Sequence, residues 1–216
     1  MMATRRRLSG EEGTSLIELV VGMMLMTIFM GMFTGVVVMM NSAENKAESV
    51  NLTSSQLNQA FLTLDKTVRY AAAISPPAKS TTSGDWYVEL RTMNTGSEIC
   101  TQLHLQQASA TFPVVPNLEK RTWSVVAGAA VTGSLTNFVP VAPGITNGGA
   151  ATGSDQPFVL KIPPANVNFQ QLTINLVSLS GSGATRTPSS SAFTVTAYNS
   201  TIPAPTAPIC QEQGRP

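Results

Sequence analysis

Few side chains in this sequence are of a type that does chemistry, and their spacing narrows what that chemistry is. The single histidine, His104, lies in Gln102-Leu103-His104-Leu105-Gln106, where it alternates with leucines and shares a face with two glutamines. That pattern predicts an exposed strand histidine, not a ligand or a base, because no second histidine or cysteine cluster accompanies it. Asp85, Glu89, Glu98 and Glu119 are spread without a spacing that pairs them, and solvated strand-end charges are expected. Lys120-Arg121 is too small to be a nucleic-acid patch. No phosphate loop, nucleophile elbow or Cys/His metal pattern occurs. The expectation is a protein with no catalytic residues, no metal and no cofactor, and therefore not an enzyme. The one carboxylate in an unusual place is Glu18, which follows Leu16-Ile17 and precedes a long apolar run.

Composition sets the frame for these residues. The chain has 216 residues, of which 43% are hydrophobic and only 12% charged, with a net charge of +1. Charged residues average roughly 25% in globular domains. No bulk field is available to hold nucleic acid or an anionic membrane surface. Hydrophobicity is too high and net charge too low for disorder.

From Leu19 to Met40 no charge interrupts 22 residues, all apolar or small except Thr27 and Thr34. A helix of that length spans about 33 Å, enough for a hydrocarbon core of roughly 30 Å. The run exceeds the roughly 7–15 residues of a secretory signal's apolar region, and Met39-Met40-Asn41-Ser42 is a poor cleavage site, so the segment is expected to remain. Arg5, Arg6 and Arg7 precede it, while Glu44, Lys46 and Glu48 follow. The positive-inside rule then places the N-terminus in the cytoplasm and the rest beyond the membrane. Cys100 and Cys210 are the only cysteines, and in that compartment they are expected to oxidise to one disulfide, closing a loop of about 110 residues. Two buried free thiols are the weaker reading, because Cys210 follows a Pro-rich strap.

The junction reads Glu11-Glu12-Gly13-Thr14-Ser15-Leu16-Ile17-Glu18-Leu19-Val20. A basic leader ending in glycine, a hydroxyl dipeptide, two aliphatics, a glutamate and a long apolar helix together resemble the type III signal of type IV prepilins and pseudopilins. That resemblance implies cleavage after Gly13 by a membrane-embedded prepilin peptidase and N-methylation of Thr14, although the family more often begins its mature chain with Phe. Glu18 would take the fifth mature position, where it neutralises the new amino group of a neighbouring subunit and fixes axial register in a filament core. Taken alone, Glu18 has a plainer reading as a carboxylate snorkelling at the membrane interface. Thr27, Gly31 and Gly35 recur every four residues, a small-residue face suited to close helix packing. Seven methionines in the span suit adaptable packing.

After Met40 the pattern turns amphipathic, with Val50, Leu57, Phe61, Leu64 and Val68 on one stripe. It is expected to end at Ile74-Ser75-Pro76-Pro77, giving a helix of roughly 55–60 residues. Strands are expected at 85–93, 98–107 and 120–127, an antiparallel meander with one face against the helix stripe, and at 157–162, 171–179 and 192–198. Asn94-Thr95-Gly96-Ser97 reads as a turn, and 128–155 and 180–191, rich in Gly, Ser, Thr and Asn, read as long surface loops or partly disordered inserts.

The expected fold is α+β and pilin-like, a long N-terminal helix, transmembrane in its first half, packed on an antiparallel sheet. Residues 1–13 are read as leader, 14–40 as transmembrane or filament-core helix, 41–74 as its amphipathic continuation and 75–216 as an extracytoplasmic β-rich domain. Size and strand order resemble PilW-like minor pilins and J-type minor pseudopilins. The implied role is a structural minor subunit of a type IV pilus-like filament, acting in initiation, at the tip, or in adhesion, DNA uptake or secretion. Its implied partners are the prepilin peptidase, other pilin or pseudopilin subunits and a cytoplasmic-membrane assembly platform. The implied location is the cytoplasmic membrane, single-pass, and then a cell-surface or periplasmic filament. The competing readings are a single-span anchored ligand-binding protein that does not polymerise and, further off, a surface enzyme.

Overall fold

A computed structural model of the chain describes residues 15–94, 96–107, 116–126, 129–147, 149, 155–161, 168–180, 187–200 and 209–210. Among the described residues one helix, α1 (Leu16–Arg69), is followed by ten strands: β1 (Ala71–Ile74), β2 (Ala78–Lys79), β3 (Trp86–Asn94), β4 (Ser97–Leu105), β5 (Asn117–Val126), β6 (Ala129–Ala130), β7 (Val139–Pro143), β8 (Phe158–Lys161), β9 (Gln170–Ser180) and β10 (Thr187–Ala197). The fold is α+β. The chain divides into residues 1–47 and residues 48–216 as separate compact units.

Within the second unit the sheets are antiparallel. The larger runs β1-β3-β4-β5-β6, with β2 added to β3 and β7 to β5, and the smaller runs β10-β9-β8. The β3-β4-β5 meander expected from the alternation is present, and Gly96, at φ 86°, supplies the left-handed residue in the β3–β4 turn. One core joins Ala60, Leu64 and Val68 of α1 to Val88, Leu90, Leu103, Leu105 and Leu118 of the larger sheet and to Leu172, Ile174 and Leu176 of the smaller. The stripe is narrower than the sequence suggests: Val50 and Phe61 stay partly exposed, although Phe61 meets Phe193 edge to face at 4.7 Å.

The helix ends earlier than expected, at Arg69, and residues 71–74 are strand instead of helix. Nothing local stops it, since alanines favour helix. The stop is tertiary: the Tyr198 amide donates to the Arg69 carbonyl at 3.1 Å, and Asn199 Nδ2 donates to the Tyr70 carbonyl at 3.3 Å. These take terminal carbonyls that a helix leaves without partners, and the chain then pairs Ile74 with Leu90 of β3.

The stretch 128–155 is likewise not a plain loop. It contains β6 and β7, and it buries Ala142, Ile145 and Asn147. Both strands add to one edge of β5, and between them Thr122 and Thr136 exchange hydrogen bonds at 2.9 Å, so that edge is closed along its length. Residues 187–191, read as loop, belong to β10.

Candidate functional site

Gly13 and Thr14, the expected cleavage and methylation site, lie outside the described residues. Glu18 lies in the first turn of α1, where a carboxylate complements the helix dipole. Ser15 precedes the helix, and Ser15-Leu16-Ile17-Glu18 has the S-x-x-E spacing of a capping box. Ser15 accepts the Glu18 and Leu19 amides at its carbonyl, at 2.9 and 3.2 Å. Glu18 itself is exposed and has no ion-pair partner among the described residues.

The apolar part of α1 is long and apolar enough to cross a membrane, and none of its most apolar window is buried within the chain. Thr27 returns its hydroxyl to the Met24 carbonyl at 2.8 Å, and a side chain added at Gly31 or Gly35 would meet nothing within 4 Å. The small-residue face therefore has no partner among the described residues.

The globular unit carries its functional groups on the two faces of β3, β4 and β5. On the face toward α1 the rows change character along the strands. Trp86-Leu105-Leu118 is apolar, Val88-Leu103-Lys120 brings one charge, and Leu90-Thr101-Thr122 brings hydroxyls. Where the apolar rows stop, the sheet and the last turns of α1 leave a groove of about 740 Å³, lined on the helix side by the row Leu62, Lys66 and Tyr70. No carboxylate lines it.

The opposite face is polar but covered. Its rows are Tyr87-His104-Glu119, Glu89-Gln102-Arg121 and Arg91-Cys100-Trp123. His104 is 7% exposed, which corrects the exposed strand histidine expected from the alternation. Its ring stacks on Tyr87 at 4.7 Å and meets Phe138 at the same distance. Nε2 lies 3.2 Å from Asp85 and Nδ1 3.4 Å from Glu119, within ion-pair reach but off hydrogen-bond alignment. Glu89 is fully buried, which corrects its reading as a solvated strand-end charge. It accepts from Ser75 Oγ and from Gln102 Nε2, each at 2.7 Å, and Arg121 Nε donates to Gln102 Oε1 at 2.7 Å. A buried carboxylate needs such donors, since desolvation without them costs several kcal/mol.

Electrostatics follow from this covering. Burial pushes the Asp85 carboxyl up, but the His104 ring 3.2 Å away, the Gln107 amide and Ser83 outweigh it and hold the group below its ordinary value. Burial, with help from the Asp85 charge, raises the Tyr87 hydroxyl. Burial lowers the Arg121 guanidinium, which also lies 4.3 Å over the Phe138 ring.

Cys100 and Cys210 form the disulfide, with Cα atoms 5.9 Å apart and a sequence separation of 110. Trp123 packs against the bond and donates from Nε1 to the Cys210 carbonyl at 3.3 Å. The cysteine count gave the bond, whereas the buried polar rows gave no sequence signal beyond alternation. Among the described residues no group of three His, Cys, Asp or Glu is placed to hold a metal ion. No family model, curated protein or solved structure matches this chain.

Proposed function

We propose that the protein is a structural, pilin-like minor subunit, processed after Gly13 and assembled into a filament through the first part of α1. The observation that carries the reading is Glu18, an exposed carboxylate at the start of a helix whose most apolar window buries no side chain against the described residues. Such a helix gains by entering lipid or by packing against other helices. A lone glutamate opposes entry into a dry core unless a cation meets it there. The amino group freed at Thr14 is such a cation, and one neutralising pair between neighbours would set their stagger. The β-rich unit would then be displayed along or at the end of the filament, anchored first in the cytoplasmic membrane.

The test is the N-terminal mass of protein recovered from membranes with and without prepilin peptidase. A mature chain beginning at Thr14 only when the peptidase is present is the expected result. An intact leader under both conditions leaves a single-span anchor and removes the filament reading. Glu18→Ala adds a second arm: insertion is retained while filament incorporation falls about tenfold or more, as fits the loss of one charge-assisted contact of roughly 1.5–3 kcal/mol.

A further inference from the structure

Lys120 stands where the strand pattern calls for a core residue. It shares the row Val88-Leu103-Lys120 on the α1 side of the meander, yet it is a half-buried cation. Lys66 of α1 lines the same groove. Neither lysine has an ion-pair partner among the described residues, and Asp65, the neighbouring acid on the helix, is already held by Arg69 at 2.7 Å. Two like charges lining one partly dehydrated groove repel, and an anion bound there relieves both the repulsion and the desolvation.

The other groups of the groove narrow what that anion carries. Thr63, Thr67 and Thr92 donate their hydroxyl hydrogens to the carbonyls of Gln59, Thr63 and Ile99. Their oxygens are left as acceptors, which suit a ligand that itself donates. The exposed side chains of Leu62, Met93 and Tyr70 supply apolar surface beside them. An inorganic anion would leave both the threonines and the apolar surface unused, and an alkyl carboxylate would leave the threonines unused. Carboxylates, hydroxyl donors and an apolar C–H face occur together on acidic sugars. The groove, at about 740 Å³, falls within the roughly 300–1,000 Å³ of small-molecule sites and has room for a short oligosaccharide.

We propose that the groove binds an acidic oligosaccharide. Its carboxylates meet Lys66 and Lys120, its hydroxyls donate to the threonines, and a sugar ring lies against the apolar surface. Every residue involved belongs to the compact unit 48–216. The inference goes beyond the filament reading and stands whether or not the chain is processed after Gly13.

The experiment uses the full chain in a detergent without a sugar headgroup, with binding read by calorimetry and by ligand-observed NMR. The acidic probes are trigalacturonate and a hyaluronan tetrasaccharide. The methyl ester of trigalacturonate keeps the rings without the charge, and citrate keeps the charge without the rings. At least one acidic probe is expected to bind at millimolar concentration or below, more weakly as salt rises. Esterification, and separately Lys66→Gln with Lys120→Gln, are each expected to weaken binding about tenfold. Citrate at matched concentration is expected not to displace the sugar. Failure of both acidic probes to bind, equal binding of the ester, displacement by citrate, or unchanged affinity in the double lysine variant would each overturn the proposal. The ester and citrate arms need no substitution, so a misfolded variant does not shield it.

Discussion

The two faces of the β3-β4-β5 meander are built from the same strands and held by opposite means. Toward α1 lie Val88, Leu90, Leu103, Leu105 and Leu118, covered by Leu64, Val68 and the smaller sheet. That face is stabilised by area, at about 25 cal/mol per Å² of apolar surface removed from water. Away from α1 lie Tyr87, His104, Glu89, Gln102 and Arg121, covered by the Phe138 segment, with Trp123 under the Cys210 segment. That face is stabilised by direction: hydrogen bonds at 2.7 Å and a covalent tie. The difference teaches where the protein is sensitive. The apolar face responds to changes of volume, and the polar face to reduction and to pH.

The largest effect is expected at the covalent tie. Reducing Cys100–Cys210, or replacing both by Ser, removes a cross-link over 110 residues, worth about 4–5 kcal/mol in the chain-entropy model. Urea unfolding of the full chain in detergent, with and without reductant, checks this. An unchanged midpoint would mean that the polar face closes without its clasp.

On the other face, Leu64→Ala removes a fully buried side chain of α1 and is expected to cost about 2–5 kcal/mol. Leu62, two positions earlier and 67% exposed, is the control. Leu62→Ala should stay within about 0.5 kcal/mol in the same unfolding assay. Similar losses at both positions would show that α1 is not seated through the Leu64 side.

The smallest effect is expected from acid. Asp85 is held below its ordinary value in the folded chain, so its contribution is full above the unfolded pKa of about 3.9 and is lost as pH falls through the folded value. An acid unfolding series should therefore fall less steeply below about pH 4 for Asp85→Asn than for wild type. Parallel curves would mean that the contacts of Asp85 do not favour its charged form.

Much of this plan was legible before any coordinates. Alternation around Trp86, Val88 and Leu90 placed β3, and the turn at 94–97 placed its partner. Four-residue spacing placed Leu64 and Val68 inward. What stayed hidden has physical causes. Ala71-Ala72-Ala73 reads as helix because the groups that stop α1 come from Tyr198 and Asn199, far along the chain. Val139-Pro140-Val141-Ala142-Pro143 reads as loop because proline cannot donate to a ladder, yet β7 lies along the outer edge of β5, where prolines are tolerated. For the candidate site, Glu18, Cys100 and Cys210 were found by residue type and place, while the lysine groove and the buried polar rows were not.

Sequence by itself determined the local, one-dimensional features: the apolar helix with a carboxylate at its start, the strand periods and the only two cysteines able to pair. It also determined that His104 points away from Leu103 and Leu105, because side chains alternate along a strand. Only the tertiary structure decided whether that outward face meets water. Phe138 and Cys210 arrive from positions 34 and 106 residues beyond His104, and alternation carries no record of what a distant segment will cover. Burial is a property of the packed chain, and burial is what turned a strand-face histidine and a glutamate into parts of one polar core.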